Sequence, residues 1–282
     1  MKKTLQYMRQ KKSRGEKITM LTCYDYPTAI WEDEAGVDII FVGDSVGTNV
    51  LGYSSEKEVT MADMAHHLRA VRRGVSTAYL LVDMPYGTTD SPEDALANAQ
   101  SLLADGADGV KIEGPKKSVV THLNRSGIEV CSHLGLTPQI DNIPGLRAKT
   151  ASSALEFSKE VFEMEEAGAS FILFESIPEE VAKCLTHFLV VPTIGIGAGR
   201  FTDGQVLVVL DLLGSSTFDY RHNQKYEEFR ARAMKALANY VEDVETGRFP
   251  AEKNLRHLPE PDLNVFIAGM NRMQRTESTH VS

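Results

Sequence analysis

Five acids, one lysine and one histidine each stand at or near the end of a short apolar run. They are Asp44 after DIIFVG, Asp83 after AYLLV, Lys111 and Glu113 in GVKIEG, His133 in EVCSHLG, Glu175 after SFILF and Asp211 after VLVVL. An acid in such a place can simply cap the helix that follows. Five acids directed to one mouth pose a different problem, because crowded carboxylates repel one another unless a cation neutralises them. A bound divalent metal resolves that repulsion. Oxygen ligands without a Cys/His cluster favour Mg²⁺ over zinc. Two carboxylates plus waters leave positions open for a chelating substrate such as a 2-oxo acid, whose carboxylate and keto oxygens can bind one metal together. The metal then polarises the carbonyl and stabilises an enolate.

Lys111 lies two residues before Glu113 and points to the same side of the strand. It holds a developing enolate oxygen, forms a Schiff base, or is a lysine paired with its acidic neighbours. Glu175 closes FILFE, an apolar setting that raises a carboxylate toward the range useful to a general base; a protonated structural Glu is the alternative. PTIGIGAG (192–199) supplies flexible backbone where many barrels bind phosphate. Alone this is a weak signal, and no βαβ unit with a following ribose-binding acid accompanies it.

The elements that must position these residues follow from the same runs. ITMLT (18–22), DIIFVGD (38–44), AYLLVD (78–83), GVKIEG (109–114), EVCSHLG (129–135), SFILFES (170–176), PTIGIGAG (192–199) and VLVVLD (206–211) are continuous rather than alternating, as suits parallel strands buried on both faces. Segments with helical spacing separate them. Thr60 begins one, Ser91-Pro92-Glu93-Asp94 opens another with a cap, a first-turn Pro and favourably placed acids, and Ser152 and Ser153 precede ALEFSKEVFEMEEAG. Glycines in EDEAGVDII, LADGADGVKI and EEAGASFIL return the chain to the sheet and mark a faint internal repeat. Eight alternating strand candidates predict a (β/α)8 barrel in the α/β class rather than a doubly wound sheet. The barrel is placed at 18–250, with an N-terminal arm at 1–17 and a C-terminal extension at 251–282. The pattern at 224–247 is the longest helical one and closes the barrel or packs against a neighbouring subunit; VFIAGM is an apolar patch in the extension.

Composition bounds the partners. With 30 Lys+Arg against 39 Asp+Glu in 282 residues, the formal charge of −9 implies no basic face for DNA, RNA or anionic lipid, while leaving room for small anionic substrates. Cys23, Cys131 and Cys184 are odd in number and widely spaced, which argues against a disulfide framework or structural zinc. The basic start MKKTLQYMRQKKSRGEK has no apolar stretch and reads as a solvated arm; no run of about 18 apolar residues occurs. The expected compartment is the cytoplasm.

Longer motifs carry a resemblance. ITMLTCYDYPTA (18–29), FVGDSVGTNVLGY (41–53), TMADMAHHLRAVRRG (60–74), LLVDMPYGTTDSPEDA (80–95), VKIEG (110–114), HLGLTPQ (133–139) and IGIGAGRFTDGQVLV (194–208), in this order, resemble the 3-methyl-2-oxobutanoate hydroxymethyltransferase (ketopantoate hydroxymethyltransferase) family over about 15–250. The resemblance implies a barrel of the phosphoenolpyruvate/pyruvate superfamily and a homo-oligomer, a decamer of two pentameric rings. It implies transfer of a hydroxymethyl group from 5,10-methylenetetrahydrofolate to 3-methyl-2-oxobutanoate, giving 2-dehydropantoate on the way to pantothenate. Asp44 and Asp83 match the family's metal-binding aspartates, and Glu113 a carboxylate beside the metal, commonly through water. Ser45, Asp83 and Lys111 match the surroundings of the oxo acid, His133 a pocket histidine, and Glu175 the proposed base.

The chain departs from the family pattern after LTPQ, where IDNIPGLRAKTASS is short, at Leu210-Asp211 in place of a His-Asp pair, at GSSTFDYRHNQKY and beyond 250. Those segments bear on the folate side, the oxo acid and the assembly, and leave the metal and enolate residues in place. Two other readings stand beside the transferase. One is a divergent paralogue acting as a metal-dependent class II aldolase or lyase on another 2-oxo acid; the other is a catalytically silent oligomeric scaffold.

Overall fold

In the computed structural model of the chain, which describes residues 2–140, 145–216 and 223–278, eight parallel strands close into a barrel in sequence order. They are β1 (Ile18–Thr22), β2 (Ile39–Val42), β3 (Tyr79–Asp83), β4 (Gly109–Glu113), β5 (Val130–Gly135), β6 (Phe171–Glu175), β7 (Thr193–Ile196) and β8 (Gly204–Leu207). The helices between them are α2 (Tyr26–Glu34), α3 (Met61–Gly74), α4 (Pro92–Ala104), α5 (Lys117–Arg125), α6 (Ala151–Glu166) and α7 (Glu179–Phe188). This is the expected (β/α)8 architecture. The caps at Thr60 and Ser91 stand where the sequence predicts them. The cap of α6 is Thr150 rather than the serine pair, which lies inside the first turn.

Strand alternation builds the interior in layers. Ile18, Met20, Ile39, Phe41, Tyr79, Leu81, Cys131, Phe171, Leu173, Ile194 and Val206 form one buried apolar cluster. The alternation that buries Tyr79 and Leu81 also turns Asp83 inward, and the one that buries Phe171 and Leu173 brings Glu175 to the same end. The polar residues are thus the top layer of the barrel's own packing. The outward residues Ile40, Val42, Leu80, Val82, Val110, Ile112, Ile172 and Phe174 pack with the helices in a second cluster.

The N-terminal segment differs from the solvated arm expected of it. Residues 5–13 are a helix, α1 (Leu5–Ser13), whose Met8 is fully buried in the barrel-interior cluster. Its lysines are spent on ion pairs: Lys3 and Lys11 to Asp38 at 3.1 and 2.6 Å, and Lys12 to Asp203 at 2.7 Å. Burial opposes the charge on Asp38, but Lys11, Lys3 and the Thr19 N–H outweigh it and hold the carboxyl below its usual range. Short, lysine-rich and with one buried apolar residue, the segment carried too weak a periodicity to announce this role.

The eighth strand also differs. It is Gly204–Leu207, and Val209–Leu212 form a short helix, α8. Asp211 therefore lies on a helix and not at a strand end, and it accepts a hydrogen bond from Asn223 Nδ2 at 2.7 Å. Of the segments that depart from the family pattern, residues 141–144 and 217–222 lie outside the described residues.

A second compact unit begins at Phe229. It holds α9 (Phe229–Glu245), with Met234, Leu237, Tyr240 and Val241 exposed, and α10 (Glu260–Ser278), with Val265, Phe266 and Ile267 of the VFIAGM patch exposed. The longest helix is α10, of 19 residues, not the 224–247 pattern, from which α9 takes 17. No helix among the described residues is long and apolar enough to cross a membrane. The three cysteines are free thiols.

One buried group in α2 works against stability. Glu32 is only 4% exposed, and neither carboxylate oxygen has a hydrogen-bond partner. Burial, assisted by the nearby Asp25 charge, pushes its carboxyl up to about 9. The folded chain therefore keeps a proton that the unfolded chain releases near its ordinary pKa of about 4.3, so this group weakens the fold progressively as pH rises from about 4 to 9. Glu32→Gln is expected to raise stability at pH 8 by roughly 1–3 kcal/mol. The gain should shrink toward pH 4, as read by chemical denaturation at both pH values. A variant no more stable than wild type at pH 8 would contradict this.

Candidate active site

The carboxyl ends of β3 to β6 carry the site, and sheet register places its members. Asp83 pairs with Lys111 across β3 and β4, Glu113 with His133 across β4 and β5, and Gly135 with Glu175 across β5 and β6. Gly135 has φ +108, and a Cβ there would stand 2.2 Å from the Glu175 carbonyl oxygen, so only glycine allows this approach. Leu136 N–H donates to that carbonyl at 2.8 Å. Directly after Glu175, Ser176 is a non-glycine residue in the left-handed region, with φ 51. Its neighbours hold it there: Ser176 N–H donates to Ile196 O at 3.0 Å, and Ser176 O accepts from Arg147 N–H at 2.8 Å.

Lys111, 4% exposed, forms an ion pair with Asp83 Oδ1, and Asp83 Oδ2 accepts the Asp44 N–H at 3.0 Å. The ammonium also lies 5.2 Å from the centre of the Phe41 ring. Burial pulls the lysine toward its neutral form, but Asp83, Asp44 and Glu113 together outweigh it and hold the pKa above its ordinary value. A lysine kept this firmly protonated is a charge partner for acids and anions. It is a poor nucleophile, which removes support from the Schiff-base alternative.

His133 bridges two acids. Its Nδ1 is 3.4 Å from Glu113 Oε2, and its Nε2 is 3.2 Å from Glu175 Oε2. Burial favours the neutral imidazole, but the Glu113 charge and the contacts to both glutamates prevail and raise its pKa to about 9. The ring is thus cationic at neutral pH. Burial likewise opposes ionisation of Glu113, yet His133, Lys111 and the Gln139 N–H hold that carboxyl below its usual range. Glu175 is not enclosed in the apolar setting its run suggested; its side chain is 21% exposed and faces the imidazole.

Asp44 is the strained member. Burial, and then the Asp83 charge, push its carboxyl well above the usual range against the pull of Lys111. Four acids, Asp44, Asp83, Glu113 and Glu175, thus share the barrel mouth with one lysine and one histidine. A divalent cation would relieve the crowding that Asp83 imposes on Asp44, and these two all-oxygen side chains are the donors that would hold it. Among the described residues no group of three or more His, Cys, Asp or Glu converges as metal ligands. Glu113 is occupied instead: Oε1 by the Gln139 N–H at 2.7 Å and Oε2 by His133. This suits a carboxylate that meets the metal through water, as the resemblance implies.

Ser45 follows Asp44, and its Oγ lies 2.8 Å from the Tyr24 hydroxyl. Asp211 is absent from the cluster's contacts among the described residues. Two residues of the site escaped the sequence reading, Gln139 and Tyr24. Both lie inside motifs that carry the resemblance, LTPQ and TCYDY, but neither type announces chemistry. Gln139 follows β5 in a loop, so no strand periodicity points to it.

Comparison with known proteins agrees with the geometry. A family model described as ketopantoate hydroxymethyltransferase matches residues 2–252. Proteins named 3-methyl-2-oxobutanoate hydroxymethyltransferase are similar throughout. That of Ignicoccus hospitalis is 45% identical over 89% of this chain and 98% of its own. That of Bacillus cereus is 40% identical over 92% and 96%, and that of Dehalococcoides mccartyi 44% over 90% and 93%. Among solved structures, a phosphonopyruvate hydrolase in complex with oxalate and Mg²⁺ matches with TM-score 0.60 and 13% identity over all of both chains. A 2,3-dimethylmalate lyase of the phosphoenolpyruvate mutase/isocitrate lyase superfamily matches with TM-score 0.55 and 14% identity over 99% of each. At such identities these two show the barrel fold alone. The family model and the curated relatives, spanning nearly the whole length, show that the chain belongs to the ketopantoate hydroxymethyltransferase family.

Proposed function

We propose that this chain transfers a hydroxymethyl group from 5,10-methylenetetrahydrofolate to 3-methyl-2-oxobutanoate, giving 2-dehydropantoate for pantothenate synthesis. The observation that carries this reading is one buried cluster in which a cationic lysine, a cationic histidine and four carboxylates share the barrel mouth. Asp44 and Asp83 would hold Mg²⁺, with Glu113 beside it. Bound there, Mg²⁺ supplies a Lewis acid for the oxo acid's keto group.

The chain's own residues do the rest. Ser45 binds the oxo acid, its hydroxyl oriented by Tyr24. Glu175 removes the C3 proton, and its exposed position at the mouth suits a group that must meet substrate. Lys111 offers a fixed ammonium to the enolate oxygen, worth most in a site this dry. Water adds to the methylene carbon of the folate, both of its C–N bonds break with the protons passing to the two tetrahydrofolate nitrogens, and the enolate carbon bonds to the formaldehyde-level carbon, which keeps the water oxygen as the new hydroxyl. His133, held between Glu113 and Glu175, keeps the base aimed. A homo-oligomer and a folate site, both implied by the sequence resemblance, complete the reading; the departures at 140–150 and 215–226 bear on them.

The experiment is product analysis by NMR of purified protein with Mg²⁺, 3-methyl-2-oxobutanoate and 5,10-methylenetetrahydrofolate. The expected result is 2-dehydropantoate, formed only with all three. C3 hydrogen exchange without product would favour an aldolase or lyase on another 2-oxo acid; neither exchange nor product from folded protein would leave the scaffold.

A further inference from the structure

We propose that Gln139 is a positioning residue that fixes Asp44 and Glu113 in one arrangement and thereby sets the affinity of the divalent-metal site. This rests on the metal reading above. Gln139 is 5% exposed. Its Nε2 donates to Asp44 Oδ2 at 2.7 Å and to Met84 O at 3.2 Å, and its backbone N–H donates to Glu113 Oε1 at 2.7 Å. One loop residue therefore grips the acid that follows β2, the acid that ends β4 and the chain immediately after Asp83.

The orientation of the amide is dictated by its neighbours. The Met84 carbonyl oxygen can only accept, so a flipped amide would set its own oxygen against it. Asp83 is oriented by Lys111 and by the Asp44 N–H. Among the described residues, Gln139 is the one donor to the Asp44 carboxylate. A neutral donor is also the residue type the charge balance calls for. A lysine or arginine there would compete with a metal cation for Asp44, and a glutamate would add a fifth acid to the four already at the mouth. Glutamine orients the carboxylate and leaves the charge to the metal. Partners that orient metal ligands in this way typically carry 10–100-fold of metal affinity.

The test is direct Mn²⁺ binding to the full chain, measured by the EPR signal of free Mn²⁺, for wild type and Gln139→Met. Met has similar bulk and keeps the backbone N–H to Glu113 while removing the donor to Asp44. The expected result is a Kd raised roughly 10–100-fold with little change in the melting temperature of the metal-free protein, and activity that recovers at saturating Mg²⁺. Should Gln139→Met fail to melt cooperatively, Gln139→Asn, which keeps the amide but shortens its reach, is read in the same way. A folded variant that binds Mn²⁺ within about twofold of wild type would overturn the proposal and leave the metal reading standing. Wild type that binds no Mn²⁺ would overturn both.

Discussion

Glu175→Gln is expected to slow exchange of the C3 hydrogen of 3-methyl-2-oxobutanoate in D₂O by at least about 10²–10⁴-fold, the usual contribution of a positioned general base. The substitution keeps shape and removes only the ability to take a proton. Its second expected result is negative: Mn²⁺ affinity stays near that of wild type, because Glu175 Oε2 contacts His133 and not the two aspartates assigned to the metal. Taken together the two readings separate a base from a ligand. If Glu175→Gln exchanges normally, the base is another group. If it exchanges slowly but has also lost the metal, Glu175 acts as a ligand and the assignment fails.

Asp83→Ala should do the reverse and more. Asp83 is 1% exposed and serves three partners: Lys111 through Oδ1, the Asp44 N–H through Oδ2 and, in the proposed reading, the metal. Metal affinity should fall by at least about 100-fold, as expected for loss of one of two protein ligands whose outer partners alone carry 10–100-fold. The fold should suffer as well, since the Lys111 ammonium would be left buried without its ion-pair partner. Breaking a buried pair from one side costs about 3–5 kcal/mol. The cost is greatest at neutral pH. The lysine's pKa is held up in the folded chain by its acids, so its charge stabilises the fold below its unfolded pKa and that contribution is lost only in strong alkali. Asp83→Ala with additional Lys111→Met should recover stability but not metal binding, which denaturant melts and Mn²⁺ titration would show. Equal stabilities of the single and double variants would mean that the pair carries no such charge.

Much of this was legible in the sequence, and for a physical reason. Parallel barrel strands are buried on both faces, so their apolar runs are continuous and their ends stand out where a charge interrupts them; Asp83, Glu113 and Glu175 are such interruptions. Lys111 and Glu113 share a face because strand period is two. The same logic failed at VLVVLD, where an apolar run is divided between β8 and α8, since apolar content alone does not distinguish the last strand residue from the first helical one. Asp211 thus lies on α8 and not at the strand end its run predicts. Periodicity also missed α1, which is held by lysine ion pairs and one buried methionine rather than by an apolar stripe. Gln139 and Tyr24 were out of reach because their contribution is a hydrogen bond to another side chain, set by three-dimensional proximity. The environment of Glu175 differs from the expected one for a similar reason: the apolar run describes the strand below it, while its carboxylate faces His133, which arrives from the neighbouring strand.

The central claim is that this cluster makes an enolate from a 2-oxo acid with a divalent metal and Glu175. The measurement that meets it most directly is loss of the C3 proton signal of 3-methyl-2-oxobutanoate in D₂O with wild-type protein and no folate present. The account predicts exchange that needs Mg²⁺, stops on chelation and resumes when Mg²⁺ is restored. Exchange that persists undiminished in metal-free protein, or its absence from folded, Mg²⁺-saturated protein, would contradict it.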